Sequence, residues 1–114
     1  MSHRCAVDVD SPGALRVRVS GEVDMACAND LLGTIVSAEV PRGGKLILDL
    51  ADVAFMDSSG ISALVEAHRK RDAEGIAMTI VGTPPTVLKV FRISGVDSYL
   101  DVVAPDEDQG EAIG

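Results

Sequence analysis

Hydrophobic and polar residues alternate from the start of the chain. Cys5, Val7 and Val9 alternate with Ala6, Asp8 and Asp10, the period of a strand. Ser11-Pro12-Gly13 signals a turn. Leu15, Val17 and Val19 then alternate with Arg16, Arg18 and Ser20, a strand with one buried and one wet face, so the two runs predict a hairpin. Gly21-Glu22-Val23-Asp24 breaks the alternation. Asp24 is placed to cap a helix starting near Met25, with Leu31, Leu32, Ile35 and Val36 as its apolar contacts. Pro41-Arg42-Gly43-Gly44 ends that region. Lys45 to Leu50 carries apolar residues at both parities, which predicts a strand covered on both faces, as in a sheet with parallel neighbours.

Ile61, Leu64, Val65 and His68 recur at helical spacing and predict a helix over Ser59–Glu74. Arg69, Lys70 and Arg71 fall near its C-terminal end, where cations suit the dipole, and Gly75 follows as a C′ residue. Ile76 to Val81 reads as the next strand. Pro84 and Pro85 suit a first helical turn, Val87, Leu88 and Phe91 supply its apolar face, and Ser94-Gly95 stops it. Tyr99 to Val103 fits a short strand or a helical turn. The order hairpin, helix, strand, helix, strand, helix predicts one α/β domain over residues 1–104, a mixed sheet of four to five strands with helices packed against it. The unit from Lys45 to Val81 is expected to be a right-handed crossover. Residues 105–114 are acidic and contain glycine, the composition of a flexible tail.

The length of 114 residues suits a single domain. With no Trp, two Phe and one Tyr, the core must be aliphatic. The net charge of −8 argues against binding a nucleic acid backbone or an anionic membrane surface and is compatible with a basic partner protein. Cys5 and Cys27 have neither CxxC spacing nor a clustered His, which argues against a metal site; lying in apolar-patterned segments, they are expected to be buried free thiols. The N-terminus lacks the apolar segment of a signal peptide and no apolar run approaches a membrane span, so a cytoplasmic location is expected.

The chemistry concentrates at Phe55-Met56-Asp57-Ser58-Ser59-Gly60, between a strand end and a helix start. The first N–H groups of a helix lack internal partners, and the dipole there favours an anion. A serine at that point serves either as an N-cap or as an acceptor of phosphate, and local chemistry alone favours the cap. Asp49, Asp52 and Asp57 as a metal cluster, and Asp8, Asp10 and Asp49 as a phosphoaspartate receiver, are the competing readings. The receiver needs a helix after its first strand, where Ser11-Pro12-Gly13 leads instead into an alternating strand. Catalysis by Ser58 would need a base. His3 lies near the terminus, and His68 is ten residues along the helix, about 15 Å away at 1.5 Å per residue. Ser58 also lacks a Gly-x-Ser-x-Gly frame. No enzyme activity, cofactor or metal is expected.

Ser20-Gly21-Glu22-Val23-Asp24, Leu46-Ile47-Leu48-Asp49-Leu50, Phe55 to Ile61, Gly75 with Val81-Gly82, and Val87 through Ser94-Gly95-Val96 stand together in one order. In that order and spacing the chain resembles the STAS-domain anti-sigma factor antagonists of bacteria over nearly its whole length. The resemblance implies binding to an anti-sigma factor that is also a serine kinase, release of a sigma factor, ATP-dependent phosphorylation of Ser58 that breaks the complex, and a serine phosphatase that restores it. It implies a partner-binding set of Asp24, Met56, Asp57, Ser58, Ser59, Gly60 and Ser62, with Asp24 near the acceptor serine and Ser59 as a pure cap. Ser62 stands where many members have a small residue, often Gly. The alternative within this class is an interaction module of a signalling assembly with no phosphorylation cycle.

Overall fold

The computed structural model describes residues 6–10, 15–40 and 43–103. The chain runs β1 (Ala6–Asp10), β2 (Leu15–Val23), α1 (Met25–Ser37), β3 (Lys45–Met56), α2 (Ser58–Ala73), β4 (Ala77–Val81), α3 (Pro85–Ser94), a 3₁₀ turn (Val96–Ser98) and β5 (Asp101–Val102). The five strands form one sheet in the order β1-β2-β3-β4-β5. β1 and β2 pair antiparallel, with Ala6 opposite Ser20 and Asp10 opposite Arg16, as the alternation predicts. The other three pairings are parallel. The sheet is therefore mixed, and the last segment resolves into a short strand. The expected tail, residues 105–114, lies outside the described residues.

The three parallel connections step across the sheet in one direction. α1, α2 and α3 share one face: α1 packs on α2 and β2, α2 on β4 and α3 on β3, all around one core, the arrangement that right-handed crossovers would give. Leu15, Val17 and Val19 of β2, Leu46, Leu48 and Leu50 of β3, and Met78 and Ile80 of β4 are buried against them, with Leu31, Ile35, Leu64 and Phe91 from the helices. This corrects the expectation that Lys45 to Leu50 is covered on both sides. Ile47 and Asp49 point to the other face and are half-buried. The carboxylate of Asp49 is satisfied there: Arg16 Nη2 donates to Oδ2 at 3.1 Å and the Ala51 N–H donates to Oδ1 at 2.9 Å.

Helix ends follow local chemistry. Gly95 ends α3 in the left-handed region at φ 83°, open to glycine at no steric cost. Arg71 does more than offset the dipole of its own helix. It is buried, and its Nη1 and Nη2 donate to the carbonyls of Val36 and Ala38 at 2.7 and 3.1 Å, satisfying acceptors at the C-terminal end of α1. Cys27 is buried and disulfide-bonded, which corrects the free-thiol expectation; Cys5 lies outside the described residues. The expectation rested on burial alone, whereas α1 packs against β1 as well as β2 and so brings separate segments together. Among the described residues no helix is long and apolar enough to cross a membrane.

Candidate functional site

β2 and β3 end side by side, with Val23 opposite Met56 as the last pair of their register. Each strand passes directly into a helix through one aspartate. Asp24 caps α1, its Oδ1 accepting from the Cys27 N–H at 3.1 Å. Asp57 caps α2, its Oδ1 accepting from the N–H groups of Ser59 and Gly60 at 2.9 and 3.3 Å. The Asp57 N–H donates to the Val23 carbonyl at 3.2 Å, tying the start of α2 to the end of β2. Two helix N-termini thus stand together at the carboxyl edge of the sheet, each with its free N–H groups partly occupied by a carboxylate.

This arrangement reassigns the cap. Ser59 is a capped residue, not the capping one: it is the second residue of α2, half-buried, and its N–H is held by Asp57. Ser58 is the first residue of α2 and exposed, and its hydroxyl has no hydrogen-bond partner among the described residues. Asp and Ser rank alike as caps, and Asp57 holds the position because its N–H is tied to the Val23 carbonyl, a contact that the local sequence does not show.

Beneath the serines the packing is tight. A Cβ on Gly60 would lie 2.5 Å from Met56 Cγ and 2.9 Å from Val23 Cγ1, so α2 can approach the strand ends only because residue 60 has no side chain. Met56 is 1% exposed. Met56 and Gly60, expected at the partner surface, are therefore buried: they seat the first turn of α2 and leave Asp24, Ser58 and Ser62 as the exposed members of the expected set. Sequence reasoning missed the α1 side. A groove of about 450 Å³ runs between the two helices, with Met25, Ala28 and Leu32 on one wall and Ser58, Ser62 and Ala63 on the other. Met25 is 69% exposed. Its position directly after the cap, outside the apolar stripe of α1, is the signal that would have found it. Among the described residues the groove wall carries one carboxylate, Glu66, which pairs with Arg69 and Lys70 at 3.2 and 3.6 Å, and no cation.

The competing chemistries do not assemble. Asp49 is committed to Arg16 and Ala51 in mid-strand, away from Asp57, and no group of three or more potential metal ligands occurs among the described residues. β1 leads into an antiparallel neighbour rather than a helix, which removes the receiver reading of Asp8, Asp10 and Asp49. His68 meets the ring of Tyr99 edge to face, with centroids 5.1 Å apart.

A sheet of this order with its helices on one face, and paired strand-to-helix junctions at its carboxyl edge, defines a small α/β domain of the kind in which a strand–helix edge forms the exposed site. The chain belongs to the STAS domain family, whose model matches residues 7–110. It is 26% identical over 93 residues to the anti-sigma-B factor antagonist of Bacillus subtilis (strain 168), covering 82% of this chain and 84% of that one. An anti-sigma factor antagonist from Mycobacterium paratuberculosis superimposes with a TM-score of 0.76 at 27% identity, covering 96% of this chain and 94% of the other. The anti-sigma factor antagonist SpoIIAA in its unphosphorylated form shares the fold, with a TM-score of 0.66 at 23% identity over 96% of this chain and 97% of that one.

Proposed function

We propose that this chain is an anti-sigma factor antagonist. Its unphosphorylated form binds an anti-sigma factor that is also a serine kinase and so frees a sigma factor. Transfer of phosphate from ATP to Ser58 breaks the complex, and a serine phosphatase restores it. In this cycle the chain is a ligand and a substrate, not a catalyst, and it works in the cytoplasm without touching nucleic acid or membrane. The observation that carries the reading is the Ser58 hydroxyl, exposed and unengaged at the start of α2 because Asp57 already caps the helix. The names of the relatives support the same class of partner, and SpoIIAA has also been solved in a phosphorylated form.

Electrostatics supplies the switch. Phosphate adds about −1.5 to −2 charge near neutral pH. Ser58 follows the capping carboxylate of Asp57 directly, and it lines a groove whose wall holds Glu66 and, among the described residues, no cation to pair with that charge. A partner seated against Met25, Ser58 and Ser62 must then desolvate an unpaired dianion or withdraw. At a helix N-terminus the charge is tolerated by the fold itself.

The test is affinity capture of the chain from its own cells, followed by mass spectrometry of the retained proteins and of Ser58, then binding titrations with the purified partner. Ser58→Ala should bind and resist phosphorylation. Ser58→Asp should bind more weakly, and a penalty of about 2–3 kcal/mol corresponds to a loss of roughly thirty- to a hundred-fold. Equal affinity of the wild type and Ser58→Asp for the kinase would refute the switch. A retained partner with no phosphate entering the chain would leave an interaction module without a cycle.

A further inference from the structure

We infer that Asp57 is the positioning residue that makes Ser58, and not its neighbour Ser59, the phosphate acceptor; this rests on the phosphoacceptor reading above. The two serines are chemically identical and adjacent. Neither hydroxyl has a hydrogen-bond partner among the described residues. They differ in placement: Ser58 is exposed and Ser59 half-buried. That difference follows from where α2 starts, and Asp57 sets the start. Its Oδ1 accepts from Ser59 N and Gly60 N, its carbonyl accepts from Gly60 N at 3.0 Å and Ile61 N at 3.2 Å, and its own N–H is held by Val23. Side chain and backbone of one residue thus fix the phase of the first turn.

Removing the carboxylate has a defined local consequence. With no acceptor at residue 57, the nearest side chain able to cap is the Ser58 hydroxyl, since Ser ranks with Asp and Asn at this position. Ser58 then becomes the N-cap, its Oγ accepting from the N–H of Gly60 or Ile61, and Ser59 becomes the first helical residue. The cap migrates by one position and the reactive hydroxyl migrates with it. In the transfer, the serine Oγ forms a bond to the γ-phosphorus of ATP. The bond from that phosphorus to the β–γ bridging oxygen breaks to leave ADP, and the hydroxyl proton passes to the kinase. A hydroxyl oxygen whose lone pair is committed to backbone N–H groups, and which is turned into the first turn, is a poorer and misplaced nucleophile.

The experiment uses the full chain, the purified anti-sigma factor kinase identified by the capture above, and ATP, with the phosphate located by fragmentation mass spectrometry. Wild type should carry phosphate on Ser58 alone. In Asp57→Ala the rate at Ser58 should fall by about ten- to a hundred-fold, the scale expected for a misplaced reacting atom, and Ser59 should take a measurable share. Asp57→Asn keeps the acceptor oxygen and removes the charge, so it should restore Ser58 as the sole site. If Asp57→Ala does not fold, Asp57→Gly removes the same oxygen at a smaller cost to the helix end and replaces it. Exclusive labelling of Ser58 at the wild-type rate in both of these variants overturns the inference, and so does an Asp57→Asn that behaves like Asp57→Ala. Wild type labelled on Ser59 overturns it as well. Wild type that binds the kinase yet takes no phosphate on either serine defeats the phosphoacceptor reading itself, and the inference with it.

Discussion

At the scale of single residues, the site depends on what is absent from residue 60. Gly60→Ala gains about 1 kcal/mol of helix propensity but drives a methyl into Met56 and Val23, and overpacking of that kind costs about 1–3 kcal/mol. A net loss of stability is expected, read as a lower denaturant midpoint at constant slope; an unchanged or raised midpoint would show that Met56 moves aside freely. Leu48 is fully buried on the helix-covered face of β3. Leu48→Ala should cost about 2–5 kcal/mol, a large part of what holds a small domain together. The apolar residues were legible one by one because burial follows type. The division of labour among Asp57, Ser58 and Ser59 was not. Three adjacent residues are all good caps, and which one wins depends on the carbonyl of Val23, a partner far along the chain.

At the scale of elements, Arg71 is the clearest case of a contact hidden from local patterns. It reads as one of three cations at the end of α2, yet it reaches the carbonyls of Val36 and Ala38 at the end of α1. Arg71→Met keeps much of the packed volume and strips both donors. Leaving those acceptors without a partner should cost about 1–3 kcal/mol. Amide proton shifts should change at Val36 to Val40, and unchanged shifts there would mean that water replaces the guanidinium. Asp24→Ala removes the cap of α1 at about 1 kcal/mol. We expect partner affinity or phosphorylation to fall further than that loss explains, and in a folded variant with both unchanged Asp24 is only a cap. Elements were legible where the period was plain, as in β2, α2 and α3. The both-faces reading of β3 failed because Ile47 and Asp49 look like core positions in a short window, while the Arg16 partner that keeps Asp49 half-buried lies on another strand.

At the scale of the whole molecule, the order of strands and helices was legible because each crossover leaves its own run of periodic residues. The side of the sheet that stays open was not, because it follows from every crossover stepping the same way. The C-terminal residues carry a composition suited to solvent. Deleting Asp106 to Gly114 should leave the thermal midpoint and partner binding close to those of the full chain. A cooperative loss of folding would place Ile113 in the core.

If Ser58 is the acceptor we propose, the bond from Asp57 to Val23 also decides when that acceptor comes into being. Strands β2 and β3 are parallel neighbours, so they meet only after the whole of α1 has been made and looped back. Such long-range closures are slow to form, on the order of milliseconds to seconds in small domains. Until they form, Ser58 is an ordinary serine in a loose chain, with no seat on Met56 and no cap. A kinase that reads this junction therefore counts finished molecules, ignoring chains still leaving the ribosome or unfolded by stress. A linear peptide spanning residues 52–66 should be a far poorer substrate than the intact domain. Comparable turnover of the two would mean that the enzyme reads the local sequence and is blind to the fold.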